Sequence, residues 1–261
     1  MPMIRNMTLK PTYLPILMLI SLAILVISCG GEKGSNPEDT EYTLNGVLFY
    51  NADNSSSLFY VKVCQNGIDL SGVTVRVEGM TIPYAGDGVY SATSPGLQLS
   101  PGDTHTVTVS LGDTLQLFFK DLVLPDTFSV EVTDPASHAY YGSGFISLEW
   151  TGSAGSKGYI VTVVRPDSSL TAAPFANYVE LVTATQIGPE AFQKSDGTDV
   201  DGDYDIYVLS FSTENFYSWP TIFFPLPQPA PAGNIKTDRV SGSFGVGTLS
   251  KGDYITVTYS R

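Results

Sequence analysis

The chain is poor in the residues from which most active sites and disulfide frameworks are built. It has two cysteines, Cys29 and Cys64, in 261 residues, which is too few for a framework of disulfides. Its two histidines, His105 and His138, stand in none of the common catalytic or nucleotide-binding motifs. We therefore expect no enzymatic activity. A two-carboxylate glycosidase stays open, because any acidic protein offers such pairs.

Positive charge is scarce as well. The chain has 13 Lys and Arg against 26 Asp and Glu, a net charge of −13. Such a balance disfavours nucleic acid and anionic lipid surfaces as partners. The acidic residues are scattered, a pattern typical of a solvated surface.

Helical periodicity is missing from the part of the chain that should fold. The nearest approach is residues 172–182, and Pro174 interrupts the first turn of that segment. Gly, Thr, Ser, Val, Tyr and Phe are plentiful instead, a composition that favours strands and tight turns. The sequence predicts an all-β protein.

A long apolar run occurs once, near the N-terminus. Arg5 and Lys10 precede residues 14–28, which are apolar almost throughout, and Cys29 follows immediately. A basic start followed by an apolar run is the layout of a secretory signal. The run is short of the roughly 20 residues that a membrane-spanning helix needs.

Val26, Ile27, Ser28 and Cys29 resemble the bacterial lipobox. The resemblance implies cleavage before Cys29, a diacylglycerol on its sulfur and acylation of the new N-terminus. The protein is then held in the bacterial cell envelope by lipid, and Gly30 at the next position favours the outer membrane over the inner one. Two alternatives remain: an ordinary signal peptide with Cys29 incidental, and an uncleaved membrane helix.

The first 28 residues contain Arg5, Lys10 and no acid, so the net charge of −13 becomes −15 after cleavage. Residues 29–40 then form a lipidated cysteine and a flexible tether of Gly, Ser, Asn, Pro and acids. Such a coil spans roughly 18 Å. The folded part can therefore stand clear of the membrane.

Residues 41–133 predict a first β-sandwich. Val73, Val75 and Val77 alternate with polar residues, and turn signals at 86–88, 100–103 and 112–113 separate further short strands. The segments 71–77, 87–90 and 100–109 resemble bacterial Ig-like and carboxypeptidase-regulatory-like modules, with His105 where those modules usually carry Tyr. Cys64 lies in an alternating stretch and is interpreted as a small buried residue; a reactive thiol is the alternative.

Pro135 marks the predicted boundary, and residues 135–261 form the predicted second sandwich. Its alternating segments are 145–150, 158–164, 204–211 and 254–259. This set resembles a fibronectin type III-like domain. The resemblance implies that Trp150 is the core tryptophan of the second strand, and that Tyr204 is the corner tyrosine whose hydroxyl bonds to nearby backbone.

Two segments are candidates for binding. Asp199, Asp201 and Asp203 match the first oxygen ligands of an EF-type calcium loop. Tyr204 and Ser210 replace the required Gly and Glu, so a solvated acidic turn is the alternative to a Ca²⁺ site. No other cofactor is expected.

The second candidate contains Phe216, Tyr217 and Trp219, ahead of a Pro-rich run at 225–231. Loops of this kind carry function on β scaffolds, and aromatic rings stack on sugars or fill partner pockets. The alternative is that residues 222–224 pack as core. The sequence thus predicts a non-catalytic binding or scaffolding lipoprotein with a protein or glycan partner. The alternative hypothesis is a carbohydrate-binding accessory lipoprotein of a surface uptake or degradation system.

Overall fold

The computed structural model describes residues 41–141, 144–165, 175–179, 182–194, 196–212, 233–251 and 255–260. These residues form strands and one short 3-10 helix, Pro189–Phe192. The expected all-β class is confirmed. In this described part of the chain, no helix is long and apolar enough to cross a bilayer.

The first nine strands build an Ig-like sandwich. The strands are β1 Tyr42–Asn51, β2 Ser56–Gln65, β3 Ile68–Asp69, β4 Val73–Val77, β5 Met80–Thr81, β6 Tyr84–Gly86, β7 Val89–Thr93, β8 Thr104–Leu111 and β9 Leu115–Val123. One sheet has the order β6–β7–β2–β1, with β3 beside β2, and the facing sheet has the order β5–β4–β8–β9. This is the ABED and C′CFG arrangement of Ig-like domains.

A second sandwich follows. Its strands are β10 Val130–Asp134, β11 Ala139–Tyr141, β12 Ile146–Trp150, β13 Gly158–Val164, β14 Phe175–Val179, β15 Ala184–Ile187, β16 Gly202–Phe211 and β19 Ile255–Ser260. The smaller sheet has the order β10–β12–β15, and the larger sheet has the order β14–β13–β16–β19–β11.

Two further strands, β17 Ile235–Lys236 and β18 Val240–Leu249, lie between β16 and β19 in the chain. Strand β18 pairs in parallel with β1 along its whole length, from Tyr42 opposite Val240 to Asn51 opposite Leu249. Its last residues also pair with β16, where Leu209 lies opposite Leu249. One strand therefore joins the two sandwiches into a continuous sheet.

This placement corrects part of the sequence prediction. Residues 240–246 were expected in the second sandwich, but Val240, Phe244 and Val246 are buried in the core of the first. Phe244 stacks on Phe118, with ring centroids 5.4 Å apart. The physical reason is that β1 would otherwise present an unpaired edge, and β18 covers that edge.

The second core confirms the two aromatic positions that the fibronectin-like resemblance implies. Trp150 is buried, with its ring centroid 5.2 Å from that of Tyr159. The Tyr204 hydroxyl donates a 2.7 Å hydrogen bond to the Val200 carbonyl, four residues upstream. That contact is the tyrosine corner of Ig-like sandwiches.

A third, smaller core lies at the junction of the sandwiches. It consists of Val47 and Phe49 from β1, Ile160 from β13, Leu209 from β16 and Leu249 from β18. Burial of a large apolar side chain stabilises a fold by about 1.5–3 kcal/mol. The junction is therefore a packed interface and not a bare linker.

Candidate functional site

A cleft of about 310 Å³ lies where the two sandwiches meet. One wall is the end of β9 and the other is the turn between β12 and β13. The lining residues are Lys120, Asp121, Leu122, Val123, Gly155, Lys157 and Ser212.

Close backbone contacts fix the shape of this cleft. The Ser212 hydroxyl donates a hydrogen bond to the Val123 carbonyl, and the Lys157 amide donates to the Phe211 carbonyl at 2.7 Å. Gly155 has a φ of +77°, and a Cβ there would lie 2.8 Å from Val123 Cγ1. The turn can approach β9 only because position 155 is glycine.

The two sandwiches are also tied together behind the cleft. Thr248 Oγ1 donates a 2.6 Å hydrogen bond to the Pro125 carbonyl, and both groups are buried. Ser153 Oγ donates to the Asp126 carbonyl at 2.6 Å, and the Asp126 amide donates to the Ala154 carbonyl at 2.9 Å. The walls are therefore held in place before any ligand arrives.

Two lysines, Lys120 and Lys157, and one acid, Asp121, are among the lining residues. The carboxylate of Asp121 accepts a 2.7 Å hydrogen bond from Thr106 Oγ1. In a chain with twice as many acids as bases, this lining has more lysines than acids. Lysines 37 positions apart carried no sequence signal of their convergence.

The two histidines differ in burial: His105 is buried and His138 is exposed. His105 is buried, its Nε2–H donates to the Ser100 carbonyl at 3.0 Å, and its Nδ1 lies 3.6 Å from Glu78 Oε1. This side chain therefore bonds to backbone at the position where the Ig-like modules that the sequence resembles usually carry Tyr. The backbone amide of His138 donates to the Pro135 carbonyl at 2.9 Å.

The predicted calcium ligands are not gathered into one site. Asp199 Oδ1 accepts from Gln193 Nε2 at 3.0 Å, whereas Asp203 Oδ1 accepts from Thr258 Oγ1 of β19 at 2.7 Å. Among the described residues, no group of three or more His, Cys, Asp or Glu side chains is placed to hold a metal ion.

A cation already lies beside this acidic turn. A Cβ on Gly202 would be 2.8 Å from Arg165 Nη2, and Arg165 Cζ lies 5.9 Å from the centre of the Tyr204 ring. Burial raises the pKa of Tyr204, and the Arg165 guanidinium opposes that rise. The geometry is that of an acidic turn next to an arginine.

The remaining predicted site residues, Cys29, Phe216, Tyr217 and Trp219, lie outside the described residues. Cys64 is buried, with its Sγ 3.6 Å from Asp69 Oδ1, and the structure describes it as disulfide-bonded. The chain has two cysteines. A disulfide at Cys64 within one chain would therefore use the sulfur that the lipobox resemblance assigns to lipid.

No protein-family model matches the chain, and no curated protein matches it. Solved structures do. The chicken CNTN1 FN1–FN3 domains match at 14% identity and a TM-score of 0.28, over 89% of this chain and 68% of that one. The Yersinia pseudotuberculosis adhesin InvE matches at 14% identity and a TM-score of 0.24, over 87% of this chain and 62% of that one.

The fibronectin(III)-like modules of Clostridium thermocellum CbhA match at 12% identity and a TM-score of 0.26, over 84% of this chain and 94% of those modules. At these identities and TM-scores the matches carry no argument about function. The assignment of the sandwiches rests on the strand pairing described above.

Proposed function

We propose that this chain is a bacterial cell-envelope lipoprotein that acts as a non-catalytic binding or scaffolding module. One observation supports the module most strongly: β18 and the junction core fasten two sandwiches into one body with a preformed cleft between them. Inter-domain motion is the default where an interface is small and polar. An apolar junction with a shared strand instead holds the two sandwiches at a fixed spacing.

The anchor is proposed from the sequence. Cys29 ends the apolar run, and only twelve positions separate it from Glu41, where the described residues begin. One acyl chain gives reversible membrane binding, whereas two or more give a stable anchor. A triacylated Cys29 in the outer membrane would hold the folded body within a short tether of the lipid surface.

Mass spectrometry of the protein made in a bacterial host tests the anchor. We expect a mature chain that begins at Cys29 and carries a thioether-linked diacylglycerol. The matched variants are Cys29→Ser, which should remain uncleaved and unlipidated, and Cys64→Ser, which should be lipidated like the parent. A peptide in which Cys29 and Cys64 are joined by a disulfide would contradict the proposal.

Binding in the junction cleft is tested with the soluble mature chain. We expect an anionic partner recovered from the envelope to lose affinity when Lys120 and Lys157 are both changed to Gln. Changing Lys62 to Gln is the control, because Lys62 pairs with Asp69 at 2.9 Å in the first sandwich and does not line the cleft. Equal loss in the two variants would show a general charge effect and not a site.

The alternative hypothesis, a carbohydrate-binding accessory lipoprotein, rests on the close spacing of the aromatic residues Phe216, Tyr217 and Trp219 in the sequence. A glycan array separates it from a scaffold. Binding that disappears in Trp219→Ala, and persists in Phe145→Ala at an exposed apolar position, would favour the glycan reading. An array without binding would remove it.

A further inference from the structure

We propose that the ladder between β1 and β18 is a mechanical joint that resists shear and passes a pulling force from the N-terminal anchor directly into the second sandwich. The inference deepens the proposed function, since it rests on the protein being held by its N-terminus. It concerns how the scaffold withstands force once a partner is bound at its distal part.

The direction of the two strands decides how the ladder is loaded. The tether enters β1 at Tyr42, the first residue of the ladder, while β18 passes into the second sandwich after Leu249, the last residue. In a parallel pair these are opposite ends. A pull between them therefore shears the ladder, so that its hydrogen bonds share the load. In an antiparallel pair the same two exits would be adjacent, and the bonds would open one at a time.

The second sandwich holds the far end of β18 firmly. Gly247, Thr248 and Leu249 pair with the end of β16. Beyond them, the Ser250 amide donates to the Val208 carbonyl at 3.1 Å and the Lys251 amide donates to the Phe128 carbonyl at 2.7 Å. Force that reaches Leu249 is thus passed into the sheet of the second sandwich.

Side chains reinforce the middle of the ladder. Asn45 Oδ1 accepts hydrogen bonds from both the amide and the hydroxyl of Ser243, at 3.1 and 3.0 Å. Phe244 inserts between Phe118 and Phe59, with ring centroids 5.4 and 6.0 Å away. A Cβ on Gly46 would lie 2.6 Å from Phe244 Cε2, so glycine there lets the ring seat under β1.

Buried side chains also shield the ladder from solvent. Leu44 and Leu48 of β1 and Val246 of β18 are fully buried. Water cannot readily replace strand hydrogen bonds that lie beneath packed side chains, so the bonds open together and not singly. Without β18, the load would reach the second sandwich only through the whole first sandwich and residues 124–129.

Single-molecule pulling on the full mature chain tests the joint. The C-terminus is held in every case, and Cys29→Ser is present throughout. In one geometry the second handle is a peptide tag at the N-terminus. In the other it is attached at Asp113→Cys, in the exposed turn between β8 and β9, so that β1 is bypassed. We expect a several-fold higher rupture force in the N-terminal geometry.

Substitutions separate the ladder from general stability. Asn45→Ala should lower the rupture force in the N-terminal geometry and leave the Asp113 geometry unchanged. Thr106→Ala is the matched control, because it removes one side-chain hydrogen bond, to Asp121, from the same sandwich but away from β18. Equal rupture forces in the two geometries, or an equal loss in both from Asn45→Ala, would overturn the joint. Neither result depends on lipidation, which the mass measurement decides separately.

Discussion

At the scale of single residues, Tyr204 shows how one hydroxyl fixes a corner of the second sandwich. The side chain is 1% exposed, and its hydroxyl satisfies the Val200 carbonyl. A buried carbonyl that loses its donor costs about 1–3 kcal/mol. We expect Tyr204→Phe to lower the free energy of unfolding by that amount, measured by urea denaturation.

The control for this prediction is Tyr84→Phe. The Tyr84 hydroxyl is 3.4 Å from the Gly88 amide and the residue is 49% exposed, so its loss should stay within about 0.5 kcal/mol. Similar effects from the two substitutions would mean that the corner bond adds nothing specific.

Asp205 gives the sign of one pH dependence. Burial raises the pKa of this carboxyl, the hydrogen bond from Thr256 Oγ1 lowers it, and the neighbouring Asp203 raises it further. The folded state therefore keeps the proton at a pH where the unfolded chain has lost it. Stability from this group falls as pH rises from the ordinary carboxyl pKa through the raised one.

Asp205→Asn removes that dependence while it keeps an oxygen for Thr256. We expect the variant to melt at a higher temperature than the parent at pH 7, by roughly 2–4 °C for each kcal/mol of relief. The difference should vanish near pH 3, where the Asp205 carboxyl is protonated in both the folded and the unfolded chain. A lower melting temperature at pH 7 would show that the ionised carboxylate is favourable in the fold.

At the scale of elements, β18 separates what could be predicted from what could not. Trp150, Tyr204 and the alternating valines at 73–77 follow local patterns, and the structure confirms their places. Strand β18 contains Gly242, Gly245 and Gly247, and glycine is depleted in strands. Its partner β1 lies some 200 residues away and runs parallel, so neither propensity nor a turn signal could reveal the pairing.

The glycines that hid β18 are what the pairing needs. Gly242 has a φ of +139°, and a Cβ there would lie 1.9 Å from the Leu44 carbonyl oxygen. A residue with a side chain could not approach β1 so closely. The sequence does not predict the junction cleft for a related reason: Lys120 lies on β9 and Lys157 lies in the turn between β12 and β13, and only the junction brings these two elements together.

The contribution of β18 can be measured through Phe244. Phe→Ala substitutions in a core cost about 3–5 kcal/mol. We expect Phe244→Ala to lower the stability of the first sandwich by that amount and to increase hydrogen exchange along β1. Phe119→Ala, at a residue that is 56% exposed on β9, should change little. Unchanged exchange along β1 in Phe244→Ala would show that the first sandwich does not depend on β18.

The acidic turn before β16 yields a further prediction at this scale. Asp199 and Asp203 have partners in Gln193 and Thr258, and Arg165 lies beside the turn. We therefore expect no change in melting temperature on adding millimolar Ca²⁺. A rise that is lost in Asp201→Ala would restore the calcium site.

At the scale of the whole molecule, the account depends on the two sandwiches being one rigid body. The shared strand, the junction core and the hydrogen bonds around Pro125 and Asp126 all act at the same place. A rigid body of this kind would hold a ligand bound at one sandwich at a fixed distance from the other sandwich.

The distance between spin labels on the two sandwiches tests this most directly. The labels would replace Thr81 on β5 and Ala184 on β15, both exposed strand positions, in a chain with Cys29→Ser and Cys64→Ala. The account predicts a single narrow distance distribution, which broadens when Phe244→Ala loosens β18. A broad distribution in the chain with Phe244 intact would contradict the claim that β18 makes the two sandwiches one body.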